Sequence, residues 1–189
     1  MERENALALV HQYVKNDNLI KHMLAVEAAM RFYARKLDQD EETFALAGLL
    51  HDFDWEIHPN IEQHPLAGET ILREAGVPNE VIHAILCHAD HTGIPRVSLL
   101  DKTLYACDEV TGLITAVALV RPSRSIFDLE SKSVKKKWKD KAFAAGANRE
   151  EIASAAEEFG VELWQHVDNV IIAMRSVASD LDLVGQIES

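Results

Sequence analysis

Apolar residues recur at the spacing of an α-helix along almost the whole chain, and no segment alternates apolar and polar residues as a strand does. The clearest stripe begins at Leu19 and continues through Val26, Met30, Tyr33 and Leu37. Asp17 or Asn18 is predicted to cap this first helix. The periodicity therefore predicts an all-α fold.

Helix-breaking residues divide the remainder of the chain into further helices, because Gly and Pro interrupt the periodic stretches. Asn148, followed three residues later by Glu151, resembles a capping box. The predicted helices cover residues of about 41–52, 64–74, 79–88, 98–119, 133–142, 148–158 and 161–181.

Size and charge restrict the class of protein. A chain of 189 residues with 31 acidic and 19 basic side chains has room for one core and a formal net charge of -12. This charge disfavours nonspecific attraction to nucleic acid or to an anionic membrane. We therefore expect small phosphorylated molecules or other subunits as partners, with no nucleic acid polymer and no membrane, and a homo-oligomer is left open.

Two further compositional features bear on location and redox state. Met1 is followed by charged residues, not by the apolar segment of a signal peptide, and no apolar run is long enough to span a membrane. Cys87 and Cys107 lack a CxxC spacing, so we expect reduced thiols. These features predict a cytoplasmic protein.

Polar residues with metal-binding side chains interrupt three of the apolar helices. His51 and Asp52 end the apolar stretch 45–50, His22 takes an apolar position of the first stripe, and Asp108 lies within the long helix 98–119. Buried imidazoles and carboxylates are costly without a partner, so a cation between them is the simplest interpretation.

The ligand types narrow the choice of ion. Two imidazoles and two carboxylates suit a divalent Fe, Mn, Zn, Co or Ni ion and leave a coordination position for water, which is typical of catalytic sites. His64 and His88 add enough ligands for a second ion if Asp52 bridges the two. With one ion, these two histidines would instead surround its ligands or contact substrate.

The order His22, His51-Asp52, His64, His88, Asp108 resembles that of the HD superfamily of metal-dependent phosphohydrolases, over residues of about 18–119. The strings HPLAGE at 64–69 and LDKTLYACD at 100–108 resemble the subgroup with a two-metal centre, which includes dinucleoside tetraphosphatases and HD-GYP phosphodiesterases. The whole chain is most similar to small bacterial predicted HD hydrolases of unassigned substrate. The resemblance implies a single HD-type helical bundle over 1–189, with residues 120–189 as a C-terminal extension packed on the core.

Departures from the sequences of related HD subgroups restrict the substrates that we expect. Residues 87–89 are Cys-His-Ala and residues 93–95 are Gly-Ile-Pro, whereas the HD-GYP type carries His-His-Glu and Gly-Tyr-Pro. Cyclic-dinucleotide cleavage is therefore not expected. Alarmone hydrolases carry a Glu-Asp pair soon after the His-Asp, and residues 53–56 here are Phe-Asp-Trp-Glu.

The resemblance implies hydrolysis of a phosphate ester or anhydride of a nucleotide or other small phosphorylated metabolite by metal-activated water. Asp52 would be the central catalytic carboxylate. Candidates for proton transfer are His91 and Asp90, beyond His88, and Asp54 and Glu56, beyond Asp52.

A basic segment follows the HD-like region in this acidic chain. Its lysines form a solvated helix face or, together with two arginines, hold the phosphate of the substrate near the metals. Trp55 is either a packing residue or a stacking partner for a base. The basic residues are Arg121, Arg124, Lys132, Lys135, Lys136, Lys137, Lys139 and Lys141.

Two other functions use the same residues. Some HD relatives are di-iron oxygenases that cleave C–C or C–P bonds with dioxygen, and a metal-stabilised binding module would have no turnover. Iron-dependent dioxygen uptake would distinguish the oxygenase from the hydrolase.

Overall fold

The computed structural model describes residues 1–140 and 142–185, and this part of the chain is helical throughout, without a strand. The predicted all-α fold class is confirmed. Two short 3-10 helices, Leu66–Gly68 and Asp90–Thr92, accompany the α-helices. The α-helices are α1 (Arg3–Tyr13), α2 (Asp17–Lys36), α3 (Glu41–Leu50), α4 (Glu69–Glu74), α5 (Asn79–Cys87), α6 (Leu99–Leu119), α7 (Ser131–Trp138), α8 (Arg149–Phe159) and α9 (Leu163–Arg175).

Several helix boundaries differ from the prediction. Helix α1 has no predicted counterpart, because it buries only Ala6 and Val10 and carries a weak apolar stripe. The α-helical part of the predicted segment 64–74 begins only at Glu69, after a 3-10 turn that follows Pro65. The last helix ends at Arg175, and turns continue the chain to residue 182.

The caps explain where the functional helices begin. Asn16, one residue before the predicted candidates, caps α2 by accepting a hydrogen bond from the backbone N–H of Asn18. Asn148 caps α8 as predicted, but the reciprocal capping box lies at the start of α6, between Ser98 and Asp101.

Helices α2 and α6 are the centre of the fold. Helix α2 packs against α3, α6 and α9, and α6 also contacts α5, α7 and α8. Gly48 allows the close approach of α3 to α2, since a Cβ atom there would lie 2.9 Å from the Cα atom of Glu27. The largest fully buried side chains include Met23, Met30, Tyr33, Leu49, Leu50, Phe53, Leu104, Leu113 and Ile114.

Helix α1 is attached to this core through a buried carboxylate on α2. Arg3 donates two hydrogen bonds to Glu27, at 2.6 and 2.9 Å, and Arg31 donates a third at 3.0 Å. A buried carboxylate with this many donors stays charged without a large desolvation cost.

The C-terminal helices pack on the same core. Helix α9 contacts both α2 and α6, and α7 contacts α9. A buried polar network joins them: the Tyr33 hydroxyl donates to Nδ1 of His166 at 2.6 Å, and Nε2 of His166 donates to the carbonyl of Ala106 at 2.7 Å. The division into an HD core and an extension stays a prediction. No α-helix among the described residues has the length and apolar character needed to cross a membrane, and the location of the chain in the cell also stays a prediction.

Candidate metal centre

Six side chains from widely separated parts of the chain meet between α2, α3, α5 and α6. They are the six ligands predicted from the sequence, and their ligand atoms form two groups of three. The first group is His22, His51 and Asp108, and the second is Asp52, His64 and His88.

The first group joins α2, the end of α3 and α6. The Nε2 atom of His22 lies 3.1 Å from Nε2 of His51 and 3.0 Å from Oδ1 of Asp108. The Nε2 atom of His51 lies 3.4 Å from the same oxygen. These separations are those of ligand atoms around one ion with bonds of about 2 Å.

Asp52 connects the two groups because its two oxygens face different histidines. Its Oδ1 atom lies 3.2 Å from Nε2 of His64 and 3.6 Å from Nε2 of His88. Its Oδ2 atom lies 3.7 Å from Nε2 of His22 and 3.5 Å from Nε2 of His51. The carboxylate therefore has the position of a bridge between two ions.

Hydrogen bonds at the opposite ring nitrogen orient three of these imidazoles within the core. Nδ1 of His51 donates to the carbonyl of Gly48 at 2.8 Å, and Nδ1 of His88 donates to the carbonyl of Ile85 at 2.6 Å. The Thr111 hydroxyl donates to the carbonyl of Asp108 and lies 3.3 Å from Nδ1 of His22, from which it can accept. Such partners fix the tautomer in which Nε2 is free to bind a metal.

This tautomer provides a test of whether a cation fits. With protons on Nδ1, neutral His22 and His51 direct two lone pairs at each other across 3.1 Å. Two carboxylates, Asp52 and Asp108, approach the same point. Because lone pairs and negative charges repel at these distances, divalent ions between them would turn the repulsion into bonding. The residues fit the ions that the sequence predicts.

The charges within the centre shift its pKa values strongly. Burial lowers the pKa of His51, but the charges of Asp52 and Asp108 outweigh this effect and raise it. Burial likewise raises the pKa of Asp108, but without a metal the protonated form of His51, through its charge, and hydrogen bonds from protonated His22 and His51 hold it far below the usual range. The centre is thus an electrostatic environment that stabilises positive charge.

Asp54 is buried below His64 and does not reach the cavity, contrary to its predicted role in proton transfer. Its side chain is 0% exposed, and its Oδ1 atom accepts a hydrogen bond from Nδ1 of His64 at 2.8 Å. Gly68 makes room for it, because a Cβ atom there would lie 2.9 Å from Oδ2 of Asp54. Burial lowers the pKa of His64, but the hydrogen bonds to Asp52 and Asp54 raise it to about 9.

The two groups form the floor of a cavity of about 660 Å³. Trp55 and Ile61, which are 38% and 63% exposed, line one side. Residues Ala144, Gly146 and Ala147 line another, on a loop whose carbonyls accept hydrogen bonds from Arg149. The C-terminal segment therefore contributes a wall of the cavity.

The remaining polar residues of the cavity are mostly acidic. Glu109 and Glu151 line it, and burial with the charge of Asp108 raises the pKa of Glu109 to about 7. Sequence reasoning missed both residues. Glu109 directly follows the predicted ligand Asp108, which is a signal for proximity, but no pattern relates Glu151 on α8 to the HD-like region.

His91 and Asp90 line the cavity, as their position after His88 predicts. Nε2 of His91 donates to the carbonyl of His64 at 2.8 Å. Asp90 is held by Arg96 at 2.7 Å and by the Tyr105 hydroxyl at 2.9 Å. His91 is the more accessible of the two for proton transfer, because Asp90 is engaged by two donors.

Glu56 and the basic residues predicted to bind substrate, as far as the structure describes them, do not line the cavity. Glu56 accepts hydrogen bonds from the backbone N–H groups of Lys15 and Asn16, before α2, at 2.7 and 3.1 Å. These bonds give Glu56 a structural role in place of the predicted catalytic one.

The basic residues have other partners or face solvent. Arg121 pairs with Asp128 at 2.7 Å, Lys132 pairs with Glu130 at 2.5 Å, and Lys135 lies 5.1 Å from the centre of the Trp164 ring. Arg124 and Lys136 are exposed, and Lys141 lies outside the described residues. Their predicted contact with a substrate phosphate is not supported by this geometry.

A comparison with protein families agrees with the geometry of the centre. A sequence model of the HD domain family matches residues 19–113, which is half of the chain and includes all six candidate ligands. The chain belongs to the HD domain family. HD domains form a superfamily of metal-dependent phosphohydrolases, so the predicted family, enzyme class and requirement for a divalent metal are confirmed at this level.

Similar proteins with curated names are bacterial ribonucleases. The chain is 28% identical over 139 residues to Ribonuclease Y of Oleidesulfovibrio alaskensis, which covers 71% of the chain and 26% of the relative. It is 29% identical over 137 residues to Ribonuclease Y of Desulfotalea psychrophila, covering 70% of the chain and 26% of the relative. The chain spans about a quarter of the length of these relatives. No solved structure matches the chain.

These relatives correct one prediction. The net charge of -12 suggested that a nucleic acid polymer is excluded as a partner, and the similarity to proteins named as ribonucleases shows that this exclusion is wrong. The physical reason is that net charge describes the whole surface, whereas binding of a phosphate depends on local charge, including that of bound cations.

Proposed function

We propose that this HD domain hydrolyses a phosphate ester of a nucleotide with the help of two divalent metal ions. The observation that carries the proposal is the position of Asp52, whose two oxygens face two separate groups of ligands at the floor of one cavity. A pair of ions held in this way can orient water and a phosphoryl group together.

The ions would lower the pKa of water and offset charge on the phosphoryl oxygens. The residues of the chain orient and balance this centre: the bonds at Nδ1 fix the imidazoles, and Asp54 holds His64 from below. Because Nε2 of His91 donates to a carbonyl, its Nδ1 atom is the ring nitrogen that remains to accept a proton from water and pass it on to the leaving group. His91 is thus the proposed proton carrier for the leaving group.

The charge of the cavity favours a substrate with a single phosphate. Among the described residues that line it, none is Lys or Arg, whereas Asp90, Glu109 and Glu151 are acidic. The proposed ions can neutralise one phosphate, but further phosphates would meet these acidic groups, of which Glu109, with a pKa of about 7, is only partly ionised near neutral pH. We therefore expect esters of one phosphate to be better substrates than nucleoside triphosphates.

The apolar side of the cavity supports a nucleobase as the second part of the substrate. Trp55 packs edge-on against His64, with ring centroids 4.9 Å apart at 88°, and part of its indole stays exposed. Base stacking on an exposed aromatic ring stabilises binding by about 1–3 kcal/mol. The volume of about 660 Å³ is within the range of small-molecule sites.

A second candidate substrate is a nucleotide within an RNA chain. The observation that favours it is the name Ribonuclease Y of the similar proteins. The same centre would then hold one phosphodiester, and the rest of the chain would leave through the mouth of the cavity.

The first experiment is elemental analysis of the purified protein, followed by a hydrolysis screen with Fe, Mn, Co, Ni and Zn. The substrates are nucleoside monophosphates, diphosphates and triphosphates, dinucleotides, oligoribonucleotides and sugar phosphates. Turnover of monophosphate esters that is lost in Asp52→Ala supports the proposal. Preference for oligoribonucleotides supports RNA, whereas iron-dependent dioxygen uptake without phosphate release would support an oxygenase and contradict both.

The nucleobase is tested with Trp55→Ala. We expect KM for the nucleotide to rise about tenfold or more, because stacking is lost, and KM for a sugar phosphate to stay unchanged. An equal effect on both substrates would show that Trp55 only supports His64.

A further inference from the structure

Three side chains outside the HD centre form another group with metal-binding chemistry. His83 and Cys87 lie four residues apart on α5 and therefore on one face of this helix, and Asp101 lies in the first turn of α6. Nδ1 of His83 is 3.2 Å from Oδ1 of Asp101 and 3.9 Å from Sγ of Cys87. All three ligand atoms lie within 4.8 Å of one another.

We propose that His83, Cys87 and Asp101 bind a Zn²⁺ ion, separate from the two ions of the HD centre. Nitrogen, sulfur and oxygen are the ligand atoms that Zn²⁺ accepts. With ordinary zinc bond lengths, a tetrahedral ion places its nitrogen and oxygen ligands about 3.3 Å apart and its nitrogen and sulfur ligands about 3.6 Å apart. The observed separations of 3.2 and 3.9 Å are close to both values.

The other hydrogen bonds of Asp101 do not compete with this ion. Its Oδ2 atom accepts from the backbone N–H groups of Val97 and Ser98 and so caps α6. Among the described residues, His83 is the one hydrogen-bond partner of its Oδ1 atom. The cap therefore stays intact when an ion lies between Asp101 and His83.

Cys87 distinguishes a metal site from a simple hydrogen bond between His83 and Asp101. That bond does not need a thiol, yet the Cys87 Sγ atom is buried beside it, with the carbonyl of Ala84 at 3.5 Å as the acceptor of its S–H in the absence of a metal. The nearby Arg96 has partners of its own, since it contacts Asp90 and Glu158 at 2.7 and 3.1 Å. The positive charge of Arg96 is therefore already balanced by these two carboxylates.

The site is open on one side. The His83 side chain is 41% exposed, whereas Cys87 and Asp101 are buried. An ion can enter from this side and keep a water as its fourth ligand.

An ion here would fasten the end of α5 to the start of α6. Cys87 directly precedes His88, a candidate ligand of the HD centre, and residues 88–98 connect the two helices. This connection carries His91 into the cavity. The proposed zinc would thus stabilise one wall of the cavity without taking part in the reaction.

Co²⁺ is the probe that tests this site, because cobalt bound to a thiolate absorbs in the near ultraviolet by charge transfer. The six candidate ligands of the HD centre include no cysteine, so cobalt there gives no such band. We expect the band in the wild-type chain and in Asp52→Ala, which disrupts the HD centre. We expect its loss in Cys87→Ser and its retention in Cys107→Ser, the matched control at the other buried thiol.

A second variant keeps the test valid if Cys87→Ser fails to fold. His83→Gln changes a partly exposed side chain and should weaken zinc binding about tenfold or more in the Asp52→Ala background. Absence of the charge-transfer band in wild-type protein that binds cobalt, or its persistence in Cys87→Ser, would overturn the proposal. Neither result depends on turnover, so the outcome is independent of the proposed hydrolysis.

Discussion

The Nε2 atoms of His22 and His51 lie 3.1 Å apart, and Nδ1 of His51 is committed to a backbone carbonyl. Two neutral imidazoles in this arrangement repel each other, and Asp108 adds a carboxylate 3.0 Å from His22. Ions that bind here relieve this repulsion only in the folded state. Metal binding and folding stability are therefore coupled.

Removal of metal is expected to destabilise the protein. At a free ion concentration 100 times Kd, binding to the folded state alone contributes about 2.7 kcal/mol, which corresponds to a Tm change of roughly 5–10 °C for a domain of this size. Thermal unfolding with a chelator and with added Mn²⁺ measures this change. In Asp52→Ala the added ion should shift Tm much less, and an equal shift would place the stabilising ion elsewhere.

The bridge formed by Asp52 predicts unequal effects of two substitutions. Asp52→Ala removes a ligand from both groups and should lower the affinity for both ions, whereas His88→Ala changes only the second group. Apart from zinc held by His83, Cys87 and Asp101, elemental analysis after dialysis should show less than one ion in the first variant and about one ion in the second. If both variants keep the same metal content, the centre does not hold two ions.

His22 and Asp108 could be predicted from the sequence as candidate ligands because each has a recognisable place in a helical pattern, whereas His64 and His88 are predicted from the order of residues that resembles the family. His22 replaces an apolar residue of a stripe, and the stripe alone directs its side chain toward the core. Asp108 is placed in the same way on α6. Helical periodicity thus predicts the direction in which these side chains point, and the order of the ligands along the chain indicates the family.

The surroundings of the ligands could not be predicted because tertiary packing determines them. Asp54 lies in turns between α3 and α4, and the contact with Gly68 rather than any periodic pattern places it beneath His64. The position of the basic segment could not be predicted for the same reason. A run of lysines predicts one charged helix face, but Val134 and Trp138 pack toward the core and leave the lysines away from the cavity.

The position of Asp54 yields a prediction that distinguishes it from its neighbour Glu56. Asp54→Asn keeps the volume but removes the charge that holds His64, and metal affinity or kcat should fall about 10–100-fold. Glu56→Gln is the matched control on the same segment, because Glu56 contacts only backbone N–H groups outside the cavity. Metal titration and kcat should stay unchanged in this control. Equal losses in both variants would indicate a general disturbance of the loop.

His166 predicts how stability depends on pH. Burial lowers its pKa to about 4, from about 6.5 in the unfolded chain, and the ring is held neutral between Tyr33 and the carbonyl of Ala106. Between these pH values the unfolded chain binds more protons, so the free energy of unfolding rises with pH and falls on acidification. The full difference between the two pKa values corresponds to about 3 kcal/mol in the free energy of unfolding.

The measurement is chemical unfolding of the wild-type chain and His166→Gln at several pH values between 4 and 7. A glutamine can bond to the same partners but does not titrate, so the wild type should lose about 3 kcal/mol more than the variant over this range. The difference between the two proteins removes the contribution of the carboxylates, which titrate in both. Parallel pH profiles would mean that the pKa of His166 is the same in the folded and the unfolded chain, and would contradict a folded state in which the ring is held neutral between Tyr33 and Ala106.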